Sequence, residues 1–223
     1  AGAAHRRGQV VGSVAVREIA GDPKKILLIA VPPLNLIQPG LLLLFLYEET
    51  GDPRYRRAAD QVLARLAAHP RNALGGFWHK DIYPQQMWLD GLYMAGPFCV
   101  RHARLWGAGD LCPAEALRQA ALLTQHTQDS ASGLLYHAWS ADGAAPWADA
   151  ASGQSPVVWG RGMGWYLLAL VEMLSDLPPQ GQEAAQLRAM LQTAARGVAA
   201  AQDPHTGLWR QILDEPTLAD NWF

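Results

Sequence analysis

Gly75-Gly76-Phe77-Trp78-His79 has counterparts later in the chain, Gly133-Leu134-Leu135-Tyr136-His137 and Gly207-Leu208-Trp209-Arg210. Each glycine-aromatic segment follows a polar turn: His69-Pro70-Arg71-Asn72, Asp129-Ser130-Ala131-Ser132 and Asp203-Pro204-His205-Thr206. Ahead of each turn lie two stretches of helical periodicity: 41–50 with 53–69, 88–106 with 113–128, and 164–177 with 182–202. Within 53–69, Tyr55, Ala59, Val62 and Leu66 recur at i, i+4, i+7 and i+11, an apolar stripe on one helix face. A repeat of helix, turn, helix and loop cannot bury its faces alone, so its units stack. The closed form is an all-α toroid, an α/α barrel in which one helix of each pair lines the axis and the loops meet at one end. Three units are visible, which predicts an incomplete barrel over residues 34–223, preceded by a segment, 1–33, that fits the repeat poorly.

Composition narrows the function. The 223 residues are 50% hydrophobic and 17% charged, enough apolar material for a real core. A net charge of −2 with no Lys/Arg block offers nucleic acid no basic field. The apolar run at residues 26–31 meets Pro32-Pro33, Asn35 and Gln38 well short of the ~20 residues that span a bilayer, so no membrane segment is expected. Cys99 and Cys112 make neither a metal spacing nor a disulfide framework. Two reduced, buried thiols are expected, which fits a cytoplasmic protein, while a start at Ala1 without methionine leaves a periplasmic or secreted form open. Nine tryptophans, several beside loop glycines, either fill the core or stack on sugar rings.

The loop into the second helix pair is the chemical centre of the sequence: His79-Lys80-Asp81-Ile82-Tyr83-Pro84-Gln85-Gln86-Met87-Trp88-Leu89-Asp90. An acid in a first helical turn feels the dipole, which favours its charged form by ~0.3–1 kcal/mol. Burial among Trp88, Tyr93 and Phe77 or Trp78 opposes this, by up to ~3–5 pK units at ~1.4 kcal/mol each. A carboxyl that keeps its proton is what a general acid requires. The residues alone leave both readings of Asp90 open, helix-start stabiliser or acid catalyst. Arg161, between Gly160 and Gly162 and near Trp159 and Trp165, offers a rigid fork for a carboxylate or a hydroxyl pair, or ties a loop to carbonyls. Lys80 and His137 either donate to a substrate or satisfy a loop. Gly160, Gly162 and Gly164 are no nucleotide fingerprint, since no strand precedes them, and the histidines show no metal-ligand spacing.

Four runs together resemble the unsaturated rhamnogalacturonyl hydrolases, glycoside hydrolase family 105, related to the unsaturated glucuronyl hydrolases of family 88. They are Gly76-Phe77-Trp78-His79-Lys80; Tyr83-Pro84-x-Gln86-Met87-Trp88-Leu89-Asp90-Gly91-Leu92-Tyr93-Met94 with Pro97-Phe98; Tyr136-His137-x-Trp139; and Ser155-Pro156-x-x-Trp159-Gly160-Arg161-Gly162-x-Gly164-Trp165-Tyr166. The resemblance implies a six-fold α/α barrel and hydration of a vinyl ether without metal or organic cofactor. Its substrate is a pectin-lyase product with a 4,5-unsaturated galacturonyl residue at the non-reducing end. Asp90 takes the place of the general acid/base. His137, Trp159, Arg161 and Trp165 match positions lining the unsaturated uronate, and Lys80 and Trp88 match positions nearby. Where the family places a second aspartate, this chain has Asn35, which can hold water or a hydroxyl but cannot tune Asp90 by charge.

Two other readings stay in play. A two-carboxylate glycosidase needs a partner acid ~5–9.5 Å from Asp90, for which Asp81, Asp142 and Asp149 are the candidates. A non-catalytic carbohydrate-binding fragment is consistent with Asn35 and the missing repeats.

Overall fold

The computed structural model describes residues 34–107 and 113–218. A 3-10 turn, Leu34–Leu36, leads into six helices: α1 Gly40–Thr50, α2 Pro53–Ala67, α3 Leu89–Trp106, α4 Ala114–Thr127, α5 Gly160–Asp176 and α6 Gln182–Ala200. They form three pairs, α1·α2, α3·α4 and α5·α6. Contacts of α3 with both α1 and α5 make the odd helices one row, and contacts of α4 with α6 belong to a second layer. This is the all-α, paired-helix architecture of an (α/α)6 barrel.

Local chemistry explains the boundaries. Gly51, at φ 65°, closes α1 by donating its N–H to Tyr47 O. Asp52 then caps α2 by accepting from Arg54 N at 2.8 Å, with Pro53 as the first helical residue. The stripe on α2 faces inward as its spacing requires, with Ala59, Val62 and Leu66 all buried. Helix α3 is apolar on nearly every side and correspondingly central, burying Leu89, Leu92, Ala95, Phe98, Cys99 and Val100. Gly96 lets α5 approach closely: a Cβ there would lie 2.7 Å from Met173 Sδ.

The second and third polar turns share one hydrogen-bond pattern. In Asp129-Ser130-Ala131-Ser132-Gly133 the aspartate side chain accepts from Ser132 N and Oγ, and Gly133, at φ 75°, donates to Asp129 O. Asp203 does the same for Thr206 and Gly207. A further copy, Asp149-Ala150-Ala151-Ser152-Gly153, has no helix pair directly ahead of it. These are Asx turns in which the side chain mimics backbone and glycine supplies the left-handed step.

The structure departs from the sequence reading at three places. Two short strands appear, β1 Gln86–Trp88 and β2 Ala138–Ser140, antiparallel with Met87 opposite Trp139. Helix α5 begins at Gly160 rather than 164, so Arg161 stands in a helical first turn, not a loop. Cys99 is disulfide-bonded, not a reduced thiol, which removes the thiol argument for a reducing compartment; Cys112 lies outside the described residues. Residues 1–33 lie outside them as well. Among the described residues no helix is long and apolar enough to cross a membrane.

Candidate active site

Asp90 is held by the junction of β1 and α3. Leu89 N donates to His137 O at 3.0 Å, fixing the entry to α3 against the end of the loop that becomes β2. That bond places His137 Nδ1 3.7 Å from Asp90 Oδ2, with the side chains only 13% and 15% exposed. Neither atom has a hydrogen-bond partner among the described residues. Off the Nδ1 edge of the imidazole lies Gly162, where a Cβ would stand 2.5 Å from His137 Nδ1. Gly160 has its own neighbour, Arg210 O, 2.8 Å from where a Cβ would sit. The two glycines thus let α5 start close to other chain segments.

The predicted residues form a row of rings. Lys80 Nζ lies 5.6 Å from the Tyr83 ring, and Tyr83 stacks on Trp88 at 5.2 Å. Trp88 meets His137 edge-on at 5.1 Å, and His137 meets Trp159 edge-on at 4.8 Å. The Arg161 guanidinium covers Trp159 at 3.8 Å. A cation therefore stands at each end of the row, and Asp90 stands beside its third ring, His137. His79 adds a further layer, stacked on Trp88 at 4.5 Å.

Trp165 is one turn further along α5 and packs on Tyr93 at 4.8 Å, a pair between α3 and α5 rather than part of the row. Tyr93 also donates to Glu172 Oε1 at 3.3 Å. Asn35 is exposed on the 3-10 turn, whose Leu34 N donates to His79 O at 3.3 Å. Phe77 belongs to the core, under the Arg71 guanidinium at 4.1 Å and edge-on to His69.

Electrostatics in the row are set by burial. Desolvation holds His137 below its ordinary value, against the attraction of Asp90 and with repulsion from Arg161. Desolvation takes His79 down to about 3, helped by Lys80. Both imidazoles are neutral near pH 7, so Asp90 faces a ring that can donate or accept but carries no full charge.

The candidate second carboxylates are engaged elsewhere or exposed. Asp142 accepts from Ala144 N and Ser140 Oγ, and Asp149 from Ala151 N, Ser152 N and Ser152 Oγ. These bonds hold both below the usual carboxylate value, and Asp81 is exposed. Among the described residues no group of three His, Cys, Asp or Glu side chains could hold a metal ion.

A cavity of about 360 Å³ opens on this row, lined by Trp88, His137, Trp147, Ser155, Trp159 and Ile212 among others. Its size suits a small-molecule site. Trp147, Tyr83 and His79 are the participants that sequence reasoning does not single out. Two sat inside a quoted motif. Trp147 has no motif around it, only a loop between two Asx turns. Gln85 has φ 61°, the one positive value at a non-glycine residue among those described, and Ala141 N donates to its carbonyl at 3.0 Å. The strained turn delivers β1 to β2.

The arrangement has relatives. The family model Glycosyl Hydrolase Family 88 matches residues 16–223. The chain is similar to the unsaturated rhamnogalacturonyl hydrolase YesR of Bacillus subtilis, 31% identical over 195 residues, covering 83% of this chain and 54% of the relative. It is also similar to protein Atu3128 of Agrobacterium fabrum, 36% identical over 129 residues, covering 58% of this chain and 54% of that protein. A solved glycoside hydrolase of family 105 from C. acetobutylicum superposes with a TM-score of 0.83 at 32% identity, covering 90% of this chain and 56% of that one. The chain spans about half the length of the relatives it matches.

Proposed function

Because the chain belongs to glycosyl hydrolase family 88 and resembles the family 105 unsaturated rhamnogalacturonyl hydrolases, we propose that it hydrolyses unsaturated rhamnogalacturonan oligosaccharides through Asp90. The observation that carries the reading is Asp90 itself: a nearly buried carboxyl, one oxygen of which has no hydrogen-bond partner among the described residues, beside a neutral imidazole that lines a tryptophan-rich cavity.

In the proposed reaction Asp90 gives its proton to C4 of the terminal unsaturated galacturonyl residue. The C4=C5 electron pair forms the new C–H bond, and the cation left at C5 is shared with the ring oxygen. Asp90 then takes a proton from water as the water oxygen bonds to C5. The hemiketal opens by breaking its bond between C5 and the ring oxygen, leaving a ketone at C5. The hemiacetal now at C1 expels the neighbouring sugar as its free alcohol, and the sum is substrate plus one water. His137 orients the Asp90 carboxyl, while Arg161 and Lys80 supply positive charge for the uronate carboxylate. Preorganised charge of this kind needs no rearrangement during reaction.

The ultraviolet absorbance of the 4,5-double bond reports the reaction directly. It should decay when an unsaturated galacturonyl-rhamnose disaccharide is mixed with the protein, and Asp90→Asn should stop the decay. Undiminished decay in that variant removes Asp90 from the mechanism. An unsaturated glucuronyl disaccharide run in parallel distinguishes the related linkage.

A further inference from the structure

The cavity at His137 is lined by residues of two kinds, and the chemistry above uses only one. Trp88, His137 and Trp159 adjoin charged groups that stand behind the lining: Asp90 lies 3.7 Å from His137, and Arg161 lies 3.8 Å from Trp159. The remaining wall includes Trp147, Pro156, Val157 and Ile212, side chains without charge. Trp147 is half-buried and sits in the loop between β2 and the Asp149 turn. That loop is fixed on both sides. Ser140 Oγ donates to Asp142 Oδ1 at 2.9 Å and receives Ala145 N at 3.3 Å, with Ala145 itself buried. On the other side Trp139 Nε1 donates to Ser152 O at 3.1 Å.

We propose that Trp147, with Pro156, Val157 and Ile212, is the platform for the sugar being released, and that it selects an uncharged sugar presenting an apolar face. The assignment rests on the hydrolase reading of Asp90. The uronate carboxylate needs the cations, of which Arg161 covers Trp159 and Lys80 adjoins the Tyr83 ring stacked on Trp88, so the other, uncharged lining residues fall to the second sugar. An indole held by a pinned loop matches the C–H face of a pyranose and loses little freedom on binding. The bonds that change are all in the unsaturated residue, so contacts to the second sugar act by positioning it.

The test uses the full chain with two substrates: the unsaturated galacturonyl-rhamnose disaccharide, and the methyl glycoside of the same unsaturated uronate. Trp147→Ala should lower kcat/KM on the disaccharide roughly tenfold, the scale of a few C–H groups returned to water, and leave the methyl glycoside within about twofold. Trp147→Phe, which keeps a ring, should recover most of the loss. Equal losses on both substrates, or no loss on the disaccharide, would overturn the proposal. Failure of the unaltered protein to hydrolyse either substrate would instead refute the hydrolase reading. In that event calorimetry with the saturated galacturonyl-rhamnose disaccharide decides Trp147 separately. Weaker binding by Trp147→Ala supports the platform; equal binding, or none, overturns it.

Discussion

His137 holds its Nδ1 3.7 Å from Asp90 Oδ2, and the same Nδ1 edge faces Gly162, with room for a hydrogen and not for a methyl group. The position of the imidazole is therefore set by a helix backbone as much as by its own loop. Gly162→Ala tests this. Alanine favours a helix over glycine by about 1 kcal/mol, so the substitution should not unfold α5. It should push His137 off its place, and because misplacement by about 1 Å can cost 10²-fold, kcat/KM should fall at least tenfold. Thermal unfolding and turnover of the variant check it together. Full activity would show that His137 does not position Asp90.

His79 makes stability depend on pH. Burial takes it to about 3 in the folded protein, against ~6.5 in an unfolded chain. Below pH ~6.5 the unfolded chain binds the proton and the folded one does not. The stability tied to this neutral imidazole is thus complete above pH 6.5 and declines as pH falls towards 3. Each pH unit within that window removes up to about 1.4 kcal/mol. His69, His126 and His137 are also lowered and add in the same direction. Urea midpoints measured at pH 7.5, 6.5, 5.5 and 4.5 should decrease, and His79→Gln should flatten the slope. A midpoint constant from 7.5 to 4.5 contradicts the assignment.

The helix pairs are legible in the sequence because a 3.6-residue period survives in positions such as Ala59, Val62 and Leu66, which the fold buries. The start of α5 is not, since Gly160-Arg161-Gly162 has the composition of a loop. Its first residue is held by a distant segment, Gly160 N donating to Gln211 O at 2.6 Å. Strands β1 and β2 are three residues each, and only their pairing makes them strands. For the site, the motifs around Asp90, Trp88, His137, Trp159 and Arg161 hold residues that the fold brings into one row. Trp147 joins the cavity through tertiary placement alone. Trp165 carries motif and helix packing at once, and the structure puts it on the packing side, against Tyr93.

The Asx turns give an internal control. Gly143 and Gly153 both have positive φ, 66° and 73°, but no atom lies within 4 Å of a Cβ at Gly143, whereas one at Gly153 meets Ser140 O and the Trp139 indole. Gly143→Ala should cost only the left-handed strain, about 1–2 kcal/mol. Gly153→Ala should cost distinctly more, and because it presses on β2, next to His137, it should also lower activity. Denaturation of the two variants side by side measures the difference. Equal costs would mean that conformation alone, not the contact with Ser140 and Trp139, explains the glycine.

Arg161 does two separable things. Its guanidinium stands over Trp159, 3.8 Å from the ring centroid, where the proposed reaction uses its fork for the uronate carboxylate, and its charge pushes His137 downward. Arg161→Lys keeps the charge and loses the fork, so KM for the unsaturated disaccharide should rise about tenfold with kcat little changed. Arg161→Gln loses both. Without the neighbouring cation the His137 value rises, so protonation sets in at higher pH as the solution is acidified. If the neutral imidazole is the working form, the acidic limb of kcat/KM moves upward in Arg161→Gln and stays near its original position in Arg161→Lys. Profiles of the three proteins from pH 4 to 8 separate the roles. An unchanged KM in both variants would take Arg161 out of uronate binding, and an unmoved limb in Arg161→Gln would leave His137 beyond the reach of its charge.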